Sequence, residues 1–295
     1  MILLTGGTGF VGGHLVDELL KDSLKIRCLV RDPEKAARLA GAGCELVRGD
    51  ILDPASILNA ITPEIDTVIH LVGILAESKG STFRSVHAEG TRNVVASCIV
   101  KGVKKFLHMS ALGTRSGARS EYHKTKWEAE ETVRASGLDY TIFRPSVIFG
   151  PGDAFTNVFA RIMRFSPVVF IPGDGKSMMQ PVFVKDVVRA FAGALKSPPA
   201  SGRVYELAGP DTYTFDSIID RIAFVLGKKR YKVHIPMSVM RLNAAVAEKI
   251  LTKPPVSRDA LIMLEEDNVT KRRDLEDAFG IRPTLFIDGM RSYLG

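Results

Sequence analysis

Thr5-Gly6-Gly7-Thr8-Gly9-Phe10-Val11-Gly12-Gly13 stands between the apolar run Met1-Ile2-Leu3-Leu4 and the helix-like stretch His14-Leu15-Val16-Asp17-Glu18-Leu19-Leu20. A strand, a tight glycine turn and a helix give such a loop a physical meaning. An early glycine permits the turn, Gly9 lets the backbone approach a pyrophosphate, and Gly12 lets the helix pack closely on the strand. The first N–H groups of the helix, which have no acceptor within it, then face outward with the positive end of the helix dipole. Gly7-x-Gly9-x-x-Gly12 fits the spacing of a dinucleotide-binding loop, and Gly6-x-x-Gly9-x-x-Gly12 fits its shorter variant.

Working outward, residues 25–30 read as a second strand with Arg31 at its tip. A carboxylate at this tip would meet the ribose hydroxyls of NAD, whereas a basic residue accommodates a 2′-phosphate. The planar fork of Arg31 suits a phosphate and favours NADP. Asp32, next to it, keeps NAD open. Residues 44–50 read as a third strand, after which Asp50 and Ile51 are placed to meet an adenine ring. Asp50 is equally suited to forming the turn before Asp53-Pro54. Residues 66–73 are a continuous apolar run, as a central parallel strand buried on both faces should be. His70 within it reads as a satisfied core histidine, and Leu71, Val72 and Gly73 should pass beneath the cofactor.

A helix through 86–95 and a strand at 105–109 follow, the strand ending at Ser110. Strands alternating with helices of this length predict an α/β protein with a doubly wound parallel sheet of Rossmann type. Right-handed crossovers bring the C-terminal strand ends, and the ligand crevice, to one edge.

Ser110 stands at that edge. Twelve residues later Tyr122-His123-Lys124-Thr125-Lys126 opens a helix, and Tyr122 and Lys126, four apart, share one of its faces. Tyrosine ordinarily loses its proton near pH 10, and a neighbouring ammonium together with an oxidised nicotinamide is expected to lower that value. Ser110 would hold a substrate oxygen while Tyr122 passes the proton, with Lys126 also reaching the nicotinamide ribose. Tyr-x-x-x-Lys by itself is common on amphipathic helices. Its order and spacing after a glycine loop and a strand-end serine make the combination specific.

Together these residues resemble the extended or atypical short-chain dehydrogenase/reductase family, of epimerase/dehydratase type, over nearly the whole chain. The stretch Thr5–Gly12 resembles the family's cofactor loop, which implies that Gly6, Thr8, Gly9, Phe10, Val11 and Gly12 touch the nucleotide. Ser110, Tyr122 and Lys126 fall where its catalytic triad falls. Asn93, in Gly90-Thr91-Arg92-Asn93-Val94, matches the helix asparagine that supports the lysine through water. Arg144-Pro145-Ser146-Val147-Ile148-Phe149-Gly150-Pro151 resembles the segment after the sixth strand, in which Pro145 and Ile148 line the nicotinamide site. Within the family the resemblance is greatest to the branch of the NADPH-binding accessory subunit of respiratory complex I and its bacterial homologues. It is carried by residues 180–187 and 205–210 and by the ending Gly289-Met290-Arg291-Ser292-Tyr293-Leu294. Members of that branch can hold a nucleotide without turnover, so the resemblance implies either an oxidoreductase or epimerase acting on a small carbonyl or alcohol, or an NADPH-binding assembly protein of a membrane complex.

The sequence assigns a Rossmann domain to residues 1–151 and 181–202, and a smaller α/β substrate lobe to residues 152–180 and 203–295. Phe155, Met178, Met179 and Gln180 fall where such a lobe could close on the nicotinamide, and the apolar ones read equally well as plain core. A helix over 237–251 carries Met240, Ala244, Ala247 and Leu251 on one stripe, which reads as a core-facing stripe.

The three cysteines, Cys28, Cys44 and Cys98, form no C-x-x-C pair and read as buried free thiols of a reducing compartment. The six histidines show no ligand spacing, so no metal site is expected. No leader-like segment precedes the first strand, and the longest apolar run is too short to span a bilayer. These features point to the cytoplasm, with peripheral attachment to the inner face of the cell membrane left open by the resemblance. The net charge of +7 gathers at Lys101/Lys104/Lys105, Lys228-Lys229-Arg230/Lys232 and Lys271-Arg272-Arg273. None of these clusters has interleaved aromatics, which argues against nucleic acid and for solvated faces, with an acidic partner or membrane surface as the alternative. The oligomeric state is not written in these patterns.

Overall fold

β1 (Ile2–Thr5) is buried along its whole length, as a strand with neighbours on both edges and helices over both faces must be. The structure, a computed structural model, describes residues 1–196, 202–251 and 256–295. β1 pairs in parallel with β2 (Ile26–Val30) on one side and β4 (Thr67–His70) on the other. β3 (Glu45–Arg48), β5 (Lys105–Met109) and β6 (Asp139–Pro145) extend the sheet, again in parallel. With β11 (Arg203–Leu207), the described residues form a seven-stranded sheet in the order β11-β6-β5-β4-β1-β2-β3. The order reverses at β1, so the crevice expected of a doubly wound sheet opens beyond the ends of β1 and β4.

The crossovers are α1 (Phe10–Leu20), α2 (Ala37–Gly41), α3 (Pro54–Ala60), α4 (Gly90–Lys101) and α5 (Glu121–Arg134). Leu3, Val68, Phe106 and Ile142 of the sheet pack with Val94, Cys98 and Val133 of α4 and α5 into one apolar cluster. All three cysteines are buried and free. On α5, the fully buried Glu130 carboxylate accepts from Arg134 at 2.5 Å and from Arg144 at 2.7 and 2.8 Å. Arg144 lies in β6, so this charge cluster ties α5 to the sheet.

Two compact units result, Met1–Arg144 with Val188–Tyr205, and Pro145–Val187 with Glu206–Gly295. The sequence reading put the junctions at 151/152, 180/181 and 202/203. The difference has a local cause. β7 (Ile148–Phe149) pairs with β10 (Val182–Phe183) outside the large sheet, which draws both segments into the second unit. In that unit the rings of Phe149, Phe183 and Phe286 meet at 4.7–5.3 Å. Phe155 packs edge-on to Phe159 and Phe215, and Gln180 accepts from Thr270 N–H while donating to the Gly209 carbonyl.

The second unit also holds α6 (Thr156–Phe165), β8 (Val168–Pro172), β9 (Met178–Met179), α7 (Val184–Lys196, which continues into the first unit), β12 (Tyr213–Thr214), α8 (Phe215–Val225), β13 (Tyr231–Ile235) and α9 (Met237–Ile250). α9 departs from the sequence reading. Ala244 of the expected stripe is buried and Met240 and Ala247 are half-buried, but Leu251 is exposed. A second stripe, Val239, Leu242, Val246 and Ile250, faces solvent. Alanine lets α9 approach its neighbours closely, and the larger side chains are left outside. No helix among the described residues is long and apolar enough to cross a membrane.

Candidate nucleotide and acid–base site

The glycine loop is a cradle closed by backbone. Gly6 has φ +83°, a left-handed conformation that glycine adopts without strain, and a Cβ there would lie 3.1 Å from Leu71 C and Val72 N. At Gly12 a Cβ would come within 2.2 Å of the Gly6 carbonyl oxygen and 2.8 Å of Gly7 Cα. α1 starts at Gly9 without a side-chain cap and has no acidic residue in its first turn. Its first N–H groups and dipole are therefore left for an anion from outside. Thr8 and Gly9 are exposed at the lip, while Val11 is buried and Phe10 packs edge-on to His14. These features fit a dinucleotide pyrophosphate.

At the tip of β2, Arg31 is exposed and takes part in no ion pair among the described residues. Asp32 instead turns into its own loop. Its carboxylate pairs with Lys35 at 2.9 Å, accepts from Glu34 N–H, and is held below the usual carboxylate range chiefly by the Lys35 hydrogen bond. The side chain left free to meet a ribose substituent is the cationic one. Asp50 is half-buried and its carboxylate accepts from Leu52 N–H, the turn-forming role open to it in the sequence. Ile51 is buried in the apolar cluster, and its carbonyl accepts from Asn93 Nδ2 at 3.0 Å. Asn93 is thus engaged with the loop after β3.

The acid–base candidates gather at the ends of β4 and β5. Ser120 caps α5, its hydroxyl accepting from His123 N–H, which fixes where the helix begins and so where Tyr122 and Lys126 face. Lys126 is buried and its ammonium donates to the Met109 carbonyl at 3.0 Å, one residue before Ser110. A Cβ on Gly73 would lie 3.0 Å from Lys126 Nζ, so the β4 loop runs directly over the lysine. Ser110 is buried; its N–H donates to the Phe143 carbonyl at 2.7 Å and its hydroxyl donates to Thr114 Oγ1 at 3.3 Å. Leu71 N–H donates to the Thr5 carbonyl at 3.1 Å, joining the β4 loop to the glycine turn. Pro145 and the half-buried Ile148 fall in the second unit.

Burial pushes the Tyr122 hydroxyl up to about 12 in the chain by itself. Burial also pushes Lys126 down to about 8, against the opposing pull of Glu130. Both groups lose water, and desolvation penalises a phenolate and an ammonium alike. Tyr122 is therefore a protonated phenol at neutral pH.

A residue absent from the sequence reading occupies the centre of the set. His87 Nε2 accepts from Ile74 N–H at 3.0 Å, so its ring proton sits on Nδ1, 3.0 Å from Thr125 Oγ1. Thr125 in turn donates to the Glu121 carbonyl at 2.7 Å, within the turn that carries Tyr122. The ring stands edge-on to Tyr122 at 5.2 Å and stacks on Phe83 at 5.5 Å. Burial, then the charge of Lys126, drives His87 down to about 2, so it stays neutral. A π-helical turn, Arg84–Glu89, continuing directly into α4 gives the ring this position. Thr125, one residue from Lys126, was the available sequence signal; the π-turn leaves none.

His70 is satisfied within the core, bonded to Thr5 at 2.6 Å and Thr91 at 3.1 Å. His108 stacks on it at 5.5 Å with both ring nitrogens buried and unpartnered among the described residues.

A glycine cradle at the end of β1, beside a parallel sheet whose strand order reverses there, defines an α/β protein of the dinucleotide-binding class. The chain belongs to the NAD-dependent epimerase/dehydratase family, whose model matches residues 2–208. It is 28% identical over 275 residues to the NADH dehydrogenase [ubiquinone] 1 alpha subcomplex subunit 9 of Dictyostelium discoideum, covering 90% of this chain and 75% of that protein. It is 28% identical over 236 residues to the ceramide reductase of Caulobacter vibrioides, covering 80% and 74%. Among solved structures, the NADPH-dependent quinone oxidoreductase of Escherichia coli in complex with NADPH superposes with a TM-score of 0.78 at 21% identity, covering 98% of each chain. The UDP-glucose 4-epimerase of Thermotoga maritima superposes at 0.77, also at 21% identity, covering 99% of this chain and 97% of that one. At these identities the superpositions speak for the fold.

Proposed function

We propose that this chain binds NADP(H) in its first unit and is an oxidoreductase acting on a small carbonyl or alcohol substrate. The observation that carries the reading is that Lys126 donates to the Met109 carbonyl, next to Ser110, and lies under Gly73, whose loop is hydrogen-bonded to the glycine turn. The bound cofactor would supply the hydride acceptor or donor. Tyr122, protonated at neutral pH, suits carbonyl reduction, since it can give its proton to the substrate oxygen as that oxygen gains charge. The Ser110 hydroxyl would donate a hydrogen bond to the same oxygen. Lys126 would anchor the nicotinamide ribose and lend positive charge beside the phenol. Arg31, exposed beside an Asp32 already paired to Lys35, supports NADP over NAD.

Tyr122→Phe tests the acid–base assignment. In a screen of ketones, aldehydes and quinones with NADPH, the variant should lose turnover by at least about a hundredfold while its affinity for NADPH stays within about twofold. Turnover equal to the wild type would remove Tyr122 from the mechanism.

A second reading is supported by the relatives named as complex I subunits, which match 90% of this chain in one case and 95% in another. In it the chain holds the nucleotide as a structural element of a membrane-associated complex. Tyr122→Phe would then leave the biological role intact.

A further inference from the structure

The two-stranded sheet of the second unit leaves one face exposed. β8 and β13 pair in parallel register, Tyr231 opposite Val168, Val233 opposite Phe170 and Ile235 opposite Pro172. Alternation along a strand sends side chains to opposite faces. Val169 and Ile171 go inward and are buried, while Lys232 and His234 reach Asp220 and Asp216 of α8. The other face is built from Val168, Phe170, Pro172, Tyr231, Val233 and Ile235, without a charged side chain. Phe170 is 64% exposed and Tyr231 76%. Phe165, at the end of α6, is 86% exposed and stands beside this face, because Arg230 binds the Met163 carbonyl and Tyr231 N–H binds the Pro167 carbonyl at 2.9 Å. The chain then passes from Ile235 into α9 and its exposed stripe Val239, Leu242, Val246 and Ile250.

Charge is segregated on the same segments. Residues 161–172 and 221–247 contain eight lysines and arginines and no aspartate or glutamate. The whole chain has 40 basic and 33 acidic residues, so its net charge of +7 is held by these two segments and the remainder is close to neutral. Arg161, Arg164, Lys228 and Lys229 are exposed. A solvated face explains basic residues, but it does not explain six apolar side chains standing between them.

We propose that this face docks the chain on an anionic lipid bilayer surface, with Phe165, Phe170 and Tyr231 entering the interface and Arg161, Arg164, Lys228 and Lys229 meeting the headgroups. Aromatic and aliphatic side chains rimmed by Lys and Arg are what the headgroup boundary selects, and each basic residue adds attraction to acidic lipid. The proposal rests on the membrane-associated reading and deepens it by naming the surface and the lipid.

The test is pelleting with vesicles of phosphatidylcholine alone and of phosphatidylcholine mixed with phosphatidylglycerol, with no other protein present. The wild type should pellet with the mixed vesicles and be released by high salt. Lys228→Glu with Lys229→Glu, and separately Phe170→Ser with Tyr231→Ser, should each weaken binding on the order of tenfold or more, with melting temperature and NADPH titration unchanged. Wild-type protein left in the supernatant with the mixed vesicles overturns the proposal. So does light scattering that finds a dimer which Phe170→Ser converts to monomer, since the face would then belong to a second copy. A protein complex as the only partner would show as vesicle failure, and would leave the broader reading standing.

Discussion

Replacing Gly12 by alanine should abolish saturable NADPH binding and lower the stability of the chain. The added Cβ has nowhere to go, with the Gly6 carbonyl oxygen 2.2 Å away and Gly7 Cα 2.8 Å away. Both obstacles are backbone, so no rotamer change relieves them, and α1 must move off the loop. Forcing a methyl group into such a contact costs roughly 1–3 kcal/mol in packed interiors. The same movement withdraws the first N–H groups of α1 from the position where a pyrophosphate would accept them. Fluorescence titration with NADPH, paired with thermal unfolding, checks both effects. A variant that keeps NADPH affinity within about twofold of the wild type would place the phosphate-binding element elsewhere.

The second large effect concerns pH. Lys126 titrates at about 8 in the folded chain because it is buried, against an ordinary value of 10.5. Between these values the unfolded chain holds more protons than the folded one, so stability rises with pH across this window. At about 1.4 kcal/mol per unit, the rise is on the order of 3 kcal/mol. Tyr122 acts in the opposite sense at higher pH. Its folded value of about 12 lies above the ordinary 10, so the stability it contributes is complete below pH 10 and is lost as pH climbs through 12. Urea unfolding of Lys126→Met from pH 7 to 10 should give a curve flatter than the wild type's by most of that rise. An unchanged slope would mean that Lys126 is hydrated in the folded chain.

The parts of this arrangement that could be read from sequence are those with a local chemical signature. Thr5–Gly13 announces its turn because only absent side chains permit the backbone approach, and the apolar runs through residues 25–30 and 66–73 announce buried parallel strands. Tyr122 and Lys126 could be paired by helical spacing alone. Depth of burial could not be read, and burial is what raises the Tyr122 hydroxyl and lowers Lys126 in the chain by itself. His87 was hidden by a π-turn, a change of backbone register that no residue type marks. On α9 the expected stripe does turn inward at Met240, Ala244 and Ala247 and departs at Leu251, just past the helix end, while a second apolar stripe is left exposed. The junctions near 145 and 187 moved because the two-residue pairing of β7 with β10 is too short to leave a pattern.

Arg31 offers the most direct test of what the cradle is built to hold. NADPH and NADH are titrated against the wild type and Arg31→Ala under the same salt. The wild type should prefer NADPH by roughly tenfold or more, and Arg31→Ala should lose most of that preference by weakening NADPH alone. Equal affinity of the wild type for the two nucleotides, or an equal loss of both in the variant, would contradict an NADP(H) site.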